Sequence, residues 1–167
     1  FFFNANDAID TVASALFNGP DIIIIVPSEL SASISGPSTG TVGDNLTYNA
    51  IVNATGTGNS VTRGEIWVST LRGDDPYPYS CPNVTSGPWC NIATAPLSGI
   101  SDTFSGLWTP NDADTYNIIV QGFDSDGNQC TGVNTLPPGW SDCGASDTIN
   151  VTINPTPNNA PTLANGL

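Results

Sequence analysis

The sequence predicts an all-β protein, an antiparallel β-sandwich with an apolar N-terminal extension, and three observations carry that expectation. Apolar and polar residues alternate with a period of two over residues 30–35, 46–52, 116–121 and 149–153, as in strands with one buried face. Clusters of Gly, Asn, Asp, Ser and Pro punctuate these runs with turn chemistry. Residues 102–128, DTFSGLWTPNDADTYNIIVQGFDSDGN, read as a strand, a tight corner, a second strand and a turn, and the rest of the chain is organised around them.

In the second of those strands Tyr116, Ile118 and Val120 share one face, while Asn117 and Gln121 take the other with Ile119 between them. Asp124-Ser125-Asp126-Gly127-Asn128 then supplies residues that tolerate positive φ and bond their own backbone. The order Trp108-Thr109-Pro110, corner, Asp114-x-Tyr116, strand, Asp124-x-Asp126-Gly127 resembles the E and F strands of PKD and immunoglobulin-like surface modules, which are common in archaea. That resemblance implies a sandwich over residues 28–154 and says little of activity, because such sandwiches host many functions.

The 167 residues suit one domain with enough chain for a core. Fifteen acids against two basic residues give a net charge of -13, so a nucleic-acid backbone or an anionic lipid surface would be repelled. Roughly a third of the chain is Ser, Thr or Asn, and lysine, histidine and methionine are absent, so the surface stays polar through uncharged groups. Four cysteines, Cys81, Cys90, Cys130 and Cys143, fit two disulfides in an oxidising compartment, and with no histidine they do not read as a zinc site. Sequons at Asn45, Asn53, Asn83 and Asn150 point the same way. No signal peptide or membrane-length apolar run is visible, so the expectation is a mature secreted chain at the cell surface, with no membrane insertion.

Residues 1–27 form the extension. Asn6 or Asp7 caps a short helix whose Ile9, Val12, Ala13, Leu16 and Phe17 share a face, ended by Asn18-Gly19-Pro20. Ile22, Ile23, Ile24, Ile25 and Val26 follow, a β-branched run with no polar face; such strands are buried on both sides, and exposed they promote aggregation. In the module, Leu30, Ala32 and Ile34 point inward from the first strand, residues 36–43 make a turn, and Leu46, Tyr48, Ala50 and Val52 point inward from the next. This register turns Asn45 and Asn53 outward, and alternation of Ile149, Val151 and Ile153 does the same for Asn150. Residues 63–71 are a third strand with Ile66 and Val68 on one face and Trp67 on the other, either of which could be the inner one. Residues 72–99 and 128–146 read as long irregular excursions, each stapled by its own cysteine pair, Cys81 with Cys90 and Cys130 with Cys143; crossed links such as Cys90 to Cys130 stay open. The Pro/Asn-rich residues 155–167 read as a linker.

Without histidine there is no Ser-His or Cys-His nucleophile, and the acids Glu29, Glu65, Asp74 and Asp75 read as solvated, so no enzyme is expected. No cofactor is expected either. Asp124, Asp126 and Asn128 have the oxygen alternation of a calcium loop and are the candidate calcium ligands, although the closing bidentate Glu is missing. Tyr77, Tyr79, Trp89 and Trp140 are candidates for a sugar-stacking platform.

The apolar arm at residues 22–26 has two homes open to it: an extra edge strand of its own sandwich, or the sheet of the next subunit. A secreted, sequon-rich and hydroxyl-rich module with such an arm resembles archaeal surface threads and pili assembled by donor-strand complementation. The resemblance implies a homopolymer of identical subunits, with the arm as donor and an acceptor groove between the strands at residues 30–35 and 147–153. The competing expectation is a secreted adhesin module that binds surface glycans.

Overall fold

The computed structural model describes residues 29–70, 85–86, 89–132 and 140–157, with only the backbone described at residues 85–86. The helix expected over residues 6–17, the arm at residues 22–26, Cys81, Asn83 and most of the C-terminal linker lie outside the described residues.

Eleven strands succeed one another in the described chain: β1 (Leu30–Ser35), β2 (Thr39–Thr41), β3 (Leu46–Ala54), β4 (Val61–Thr70), β5 (Thr85–Ser86), β6 (Trp89–Pro96), β7 (Ser101–Trp108), β8 (Thr115–Asp124), β9 (Gln129–Thr131), β10 (Trp140–Asp142) and β11 (Thr148–Asn154). One sheet is β1-β3-β7, antiparallel throughout. The other runs β5-β6-β4-β8. The far side of β8 is shared, β11 pairing with its first half and β9 with its second. Two short parallel pairings, β10 on β9 and β2 on β11, finish that side.

The two sheets close over a core supplied by period-two alternation. Leu30, Ala32 and Ile34 of β1 and Leu46, Tyr48, Ala50 and Val52 of β3 face Ile66 and Val68 of β4, Ile118 and Val120 of β8, and Val151 and Ile153 of β11. Alternate outward residues put the hydroxyls and amides in water, as expected for each of these strands. At the corner before β8 the Tyr116 hydroxyl donates to the Asp112 carbonyl at 3.2 Å, the tyrosine corner of immunoglobulin-like sandwiches. Trp108 meets Tyr116 edge-on at 4.8 Å, locking the corner to the end of β7. The fold is an antiparallel immunoglobulin-like β-sandwich, and the described residues contain no helix.

Two expectations needed correction. Residues 72–99 are not irregular throughout, because β6 is a full strand of the sheet. Its alternation is broken by a bulge: Ala93 stands opposite Ile66 and Asn91 opposite Trp67, so Ile92 is an extra residue and three successive side chains are buried at 90–92. Residues 36–43 and 128–146 likewise contain β2, β9 and β10, three-residue strands too short to show a period. For β4, Ile66 and Val68 enter the core, and Trp67 faces outward with its Nε1–H donating to Glu65 Oε2 at 3.0 Å.

Cys130 of β9 is bonded to Cys143 just beyond β10, with Cα atoms 4.9 Å apart, which removes the Cys90–Cys130 alternative. Cys90 is itself disulfide-bonded, and its expected partner lies outside the described residues. A link of sequence separation 13 restrains the unfolded chain by about 3 kcal/mol. Replacing both Cys130 and Cys143 with alanine should therefore lower the unfolding free energy by about that amount. Urea denaturation of variant and parent measures it, and an unchanged midpoint would contradict the prediction.

Candidate assembly edge

A strand at the rim of a sheet presents unpaired N–H and C=O groups, so the use of each rim is the first thing to establish. The outer side of β1 is occupied, since Ala32 N–H bonds to Cys143 O at 3.1 Å and Ile34 N–H to Ser146 O at 2.7 Å. The outer side of β11 is covered by β2 and its neighbours, including Thr152 N–H to Ser38 O at 3.0 Å and Val42 N–H to Asn154 O at 2.9 Å. The groove expected between residues 30–35 and 147–153 is thus filled by the chain's own segments, and that expectation is corrected. Short β10 blunts a further rim of the second sheet.

What remains is one flank of the sandwich, where β7 of the first sheet lies alongside β6 of the second. Strand β7 is terminal in its sheet, and β5 covers β6 only at Trp89 and Cys90. Ala54 N–H bonds to Ile100 O at 2.9 Å, which fixes the alternation along β7. Asp102, Phe104 and Gly106 turn their backbone groups to β3; Thr103, Ser105 and Leu107 turn theirs outward. Asp102 masks the start of this edge: its Oδ1 accepts from Thr103 N–H at 2.8 Å and its Oδ2 from Ser98 N–H at 3.0 Å.

The core is also only partly covered here. Among the partly buried apolar residues packed against it, Ala93, Ala95 and Phe104 line this flank. The Phe104 ring crosses to β4 and lies over Gly64, where a Cβ would collide with it; a Cβ on Gly106 would come to 3.0 Å from Ala93 Cβ. The described large apolar residues that stand exposed are Ile51 (41%), Ile100 (71%) and Leu107 (56%), on β3, in the turn before β7, and on β7. Beside them the outer face of the first sheet holds a shallow depression of about 650 Å³ lined by Ser33, Ser35, Asn49, Ile51, Thr103 and Ser105. It carries no charge. Of the sequons, Asn45 and Asn150 are exposed and Asn53 is half-buried with Oδ1 accepting from Ser101 Oγ at 2.6 Å.

The aromatic residues do not gather as expected. Trp89 sits opposite Ser69, at the far end of β4 from Arg63, and Tyr77 and Tyr79 lie outside the described residues. Trp140 instead meets Phe123 edge-on at 5.8 Å, and the Arg63 guanidinium lies 3.8 Å over the Phe123 ring. Arg63 Nε also pairs with Glu65 Oε1 at 3.0 Å. This cluster was missed in the sequence because its members come from β4, β8 and β10.

Asp124 is buried at the end of β8. Its carboxylate accepts from Asn59 Nδ2 at 2.8 Å, Asn128 N–H at 2.7 Å and Asn128 Nδ2 at 2.8 Å. These donors occupy the oxygens that a cation would need, and the carboxylate pins the β8–β9 turn to the loop before β4. Among the described residues no group of three His, Cys, Asp or Glu is placed to hold a metal. Burial works against the Asp124 charge, but hydrogen bonds from the Asn59 and Asn128 side chains and the backbone N–H groups of Asn128 and Asp126 outweigh it and hold the carboxyl below its ordinary value. Asp147 is the opposite case. Burial and the neighbouring Asp142 carboxyl push it up, and its Oδ2 is buried without a hydrogen-bond partner.

No protein-family model and no curated protein matches the chain. Among solved structures it is similar to the CARDB domain of a Pyrococcus furiosus protein, crystallised with di-metal ions, at 16% identity and a TM-score of 0.44, covering 75% of this chain and 93% of that one. It is also similar to a β-glucosidase from Listeria innocua in complex with glucose, at 9% identity and a TM-score of 0.46, covering 75% of this chain and 16% of the enzyme.

The two aspartates give opposite pH dependences. A depressed folded pKa makes Asp124 stabilising above the ordinary carboxylate range, and that contribution is lost as pH falls through its folded value. A raised folded pKa makes ionised Asp147 a penalty, absent at low pH and growing as pH rises through its folded value. Asp124→Asn should therefore lose stability at pH 7 by roughly 1–3 kcal/mol and converge on the parent in acid. Asp147→Asn should match or exceed the parent at pH 7, and denaturant titrations from pH 2 to 7 would contradict the assignment if the two variants behaved alike.

Proposed function

We propose that the chain is a structural subunit of an extracellular filament, an immunoglobulin-like module joined to identical copies by strand addition, with residues 22–26 as the donor. The observation that carries this reading is the open flank: away from β6 and β7 the long strand edges of the sandwich are paired or covered by the chain's own segments, while β7 ends its sheet without a partner among the described residues. An added strand supplies main-chain hydrogen bonds for affinity and alternate side chains for specificity. Five β-branched side chains leaving water contribute roughly 8–12 kcal/mol of gross stabilisation, which makes dissociation slow. Because donor and acceptor are different surfaces, the contact is heterologous and propagates into a fibre. The Cys130–Cys143 bond and a surface rich in hydroxyls and amides suit a cell-surface setting outside a reducing cytosol. Neither catalysis nor a cofactor enters the proposal.

A second reading has its own observation. Arg63 and Phe123 border a depression of about 350 Å³ with Gln129 and Asn128 at its wall, and Trp140 meets the Phe123 ring edge-on, a combination of aromatic rings and amides that suits a neutral sugar. On that reading the module is a glycan-binding adhesin.

Negative-stain microscopy of the purified chain separates the two. The filament reading expects fibres, and deleting residues 1–27 should leave a folded monomer with no fibres. Discrete particles from the full chain, with glycan-array binding abolished by Trp140→Ala, would establish the adhesin instead.

A further inference from the structure

We propose that the acceptor is the outer edge of β7 from Thr103 to Leu107, and that the arm seated on it comes from a second copy of the chain, its own arm being too short to seat all five apolar residues there. The inference rests on the strand-addition reading and adds the seat and the source.

Two edges line the open flank, and they are unequal templates. Strand β6 is bulged at Ile92 and ends in Pro96, which has no N–H to give. Strand β7 keeps an unbroken register with β3 over all eight residues. Its Ser105 and Leu107 direct backbone groups outward beyond the part that Asp102 masks, so Asp102 sets where an incoming strand begins. An apolar strand laid there would cover Phe104, Ala93 and Ala95 with one face and run beside Leu107 with the other. Residues 22–26 have no polar face, and this seat is apolar on one side and uncharged on the other.

Chain length favours a second copy as the source. Glu29 is held at the foot of β1, where Thr55 N–H bonds to its carbonyl at 2.8 Å, and this is the end of the sheet at which β7 begins. A strand beyond β7 lies three strand spacings from β1 in the order β1-β3-β7, or about 14 Å. The three residues from Val26 to Glu29 span at most about 11 Å. The arm therefore cannot place all five apolar residues on the β7 edge of its own sandwich. The outer side of β1, which it could reach, is taken by the carbonyls of Cys143 and Ser146. A neighbouring copy meets neither restriction.

The test uses the full chain with its native disulfides intact. Ser105→Cys on β7 is mixed with Ile23→Cys or Ile24→Cys, which present the two faces of the arm, and the assembled material is oxidised and run on a non-reducing gel. Thr103→Cys and Leu107→Cys sample neighbouring registers, and Thr94→Cys on β6 is the control. The expected result is a cross-linked dimer between arm and β7 chains, lost when either cysteine is omitted. Fibres that cross-link only through Thr94→Cys, or through none of the β7 positions, overturn the seat while leaving strand addition standing. A bridge within single chains of an Ile24→Cys/Ser105→Cys double variant at high dilution overturns the second-copy source. Absence of any assembly by the parent chain overturns both.

Discussion

The constraint on which this structure depends is that backbone N–H and C=O groups at a strand edge must find partners or be shielded. A sandwich has several such edges, and this chain closes nearly all of them with pieces of itself. The carbonyls of Cys143 and Ser146 serve β1, and β2 serves β11. Cys143 belongs to a segment tied by the Cys130 disulfide, so a covalent link to β9 holds the cover of an edge in the opposite sheet. The same economy explains the two parallel pairings in an otherwise antiparallel fold, since both β2 and β10 are short rim strands.

Against that background the β6/β7 flank stands out physically. Its shielding is local and partial, through Asp102 at one end and the Phe104 ring over Gly64. Ile51, Ile100 and Leu107 stand exposed on its sheet and in the turn leading into β7, and the acids that give the chain its charge of -13 are not drawn onto the adjoining face. Charge repulsion between copies works against assembly of such an acidic chain, so any self-association has to rest on apolar burial and backbone bonding. Those two are the interactions this flank offers.

Much of the fold was legible because single-face burial writes itself as alternation. Strands β1, β3, β8 and β11 all kept the registers expected for them, and the Tyr116 corner lay where the Trp108-to-Gly127 pattern placed it. Strand β6 was lost because one bulged residue, Ile92, merges the inward and outward sets. The rim strands were lost because two or three residues have no period, and β2 in addition pairs with residues more than a hundred positions away, Thr39 with Thr152. Asp124 looked like a cation ligand because its alternation with Asp126 and Asn128 is visible locally. The donor that helps occupy it, Asn59, comes from 65 residues upstream. The Arg63–Phe123–Trp140 cluster and the terminal position of β7 in its sheet were invisible for the same reason, since both depend on which strands end up side by side.

The most direct measurement is amide hydrogen exchange at Ser105 and Leu107, compared between assembled full-length chain and chain lacking residues 1–27. If an incoming strand bonds to β7, these two amides exchange slowly in the assembly and quickly in the truncated chain, while Phe104 and Gly106, already bonded to β3, change little. Fibres in which Ser105 and Leu107 exchange as fast as they do in the truncated chain would contradict the account.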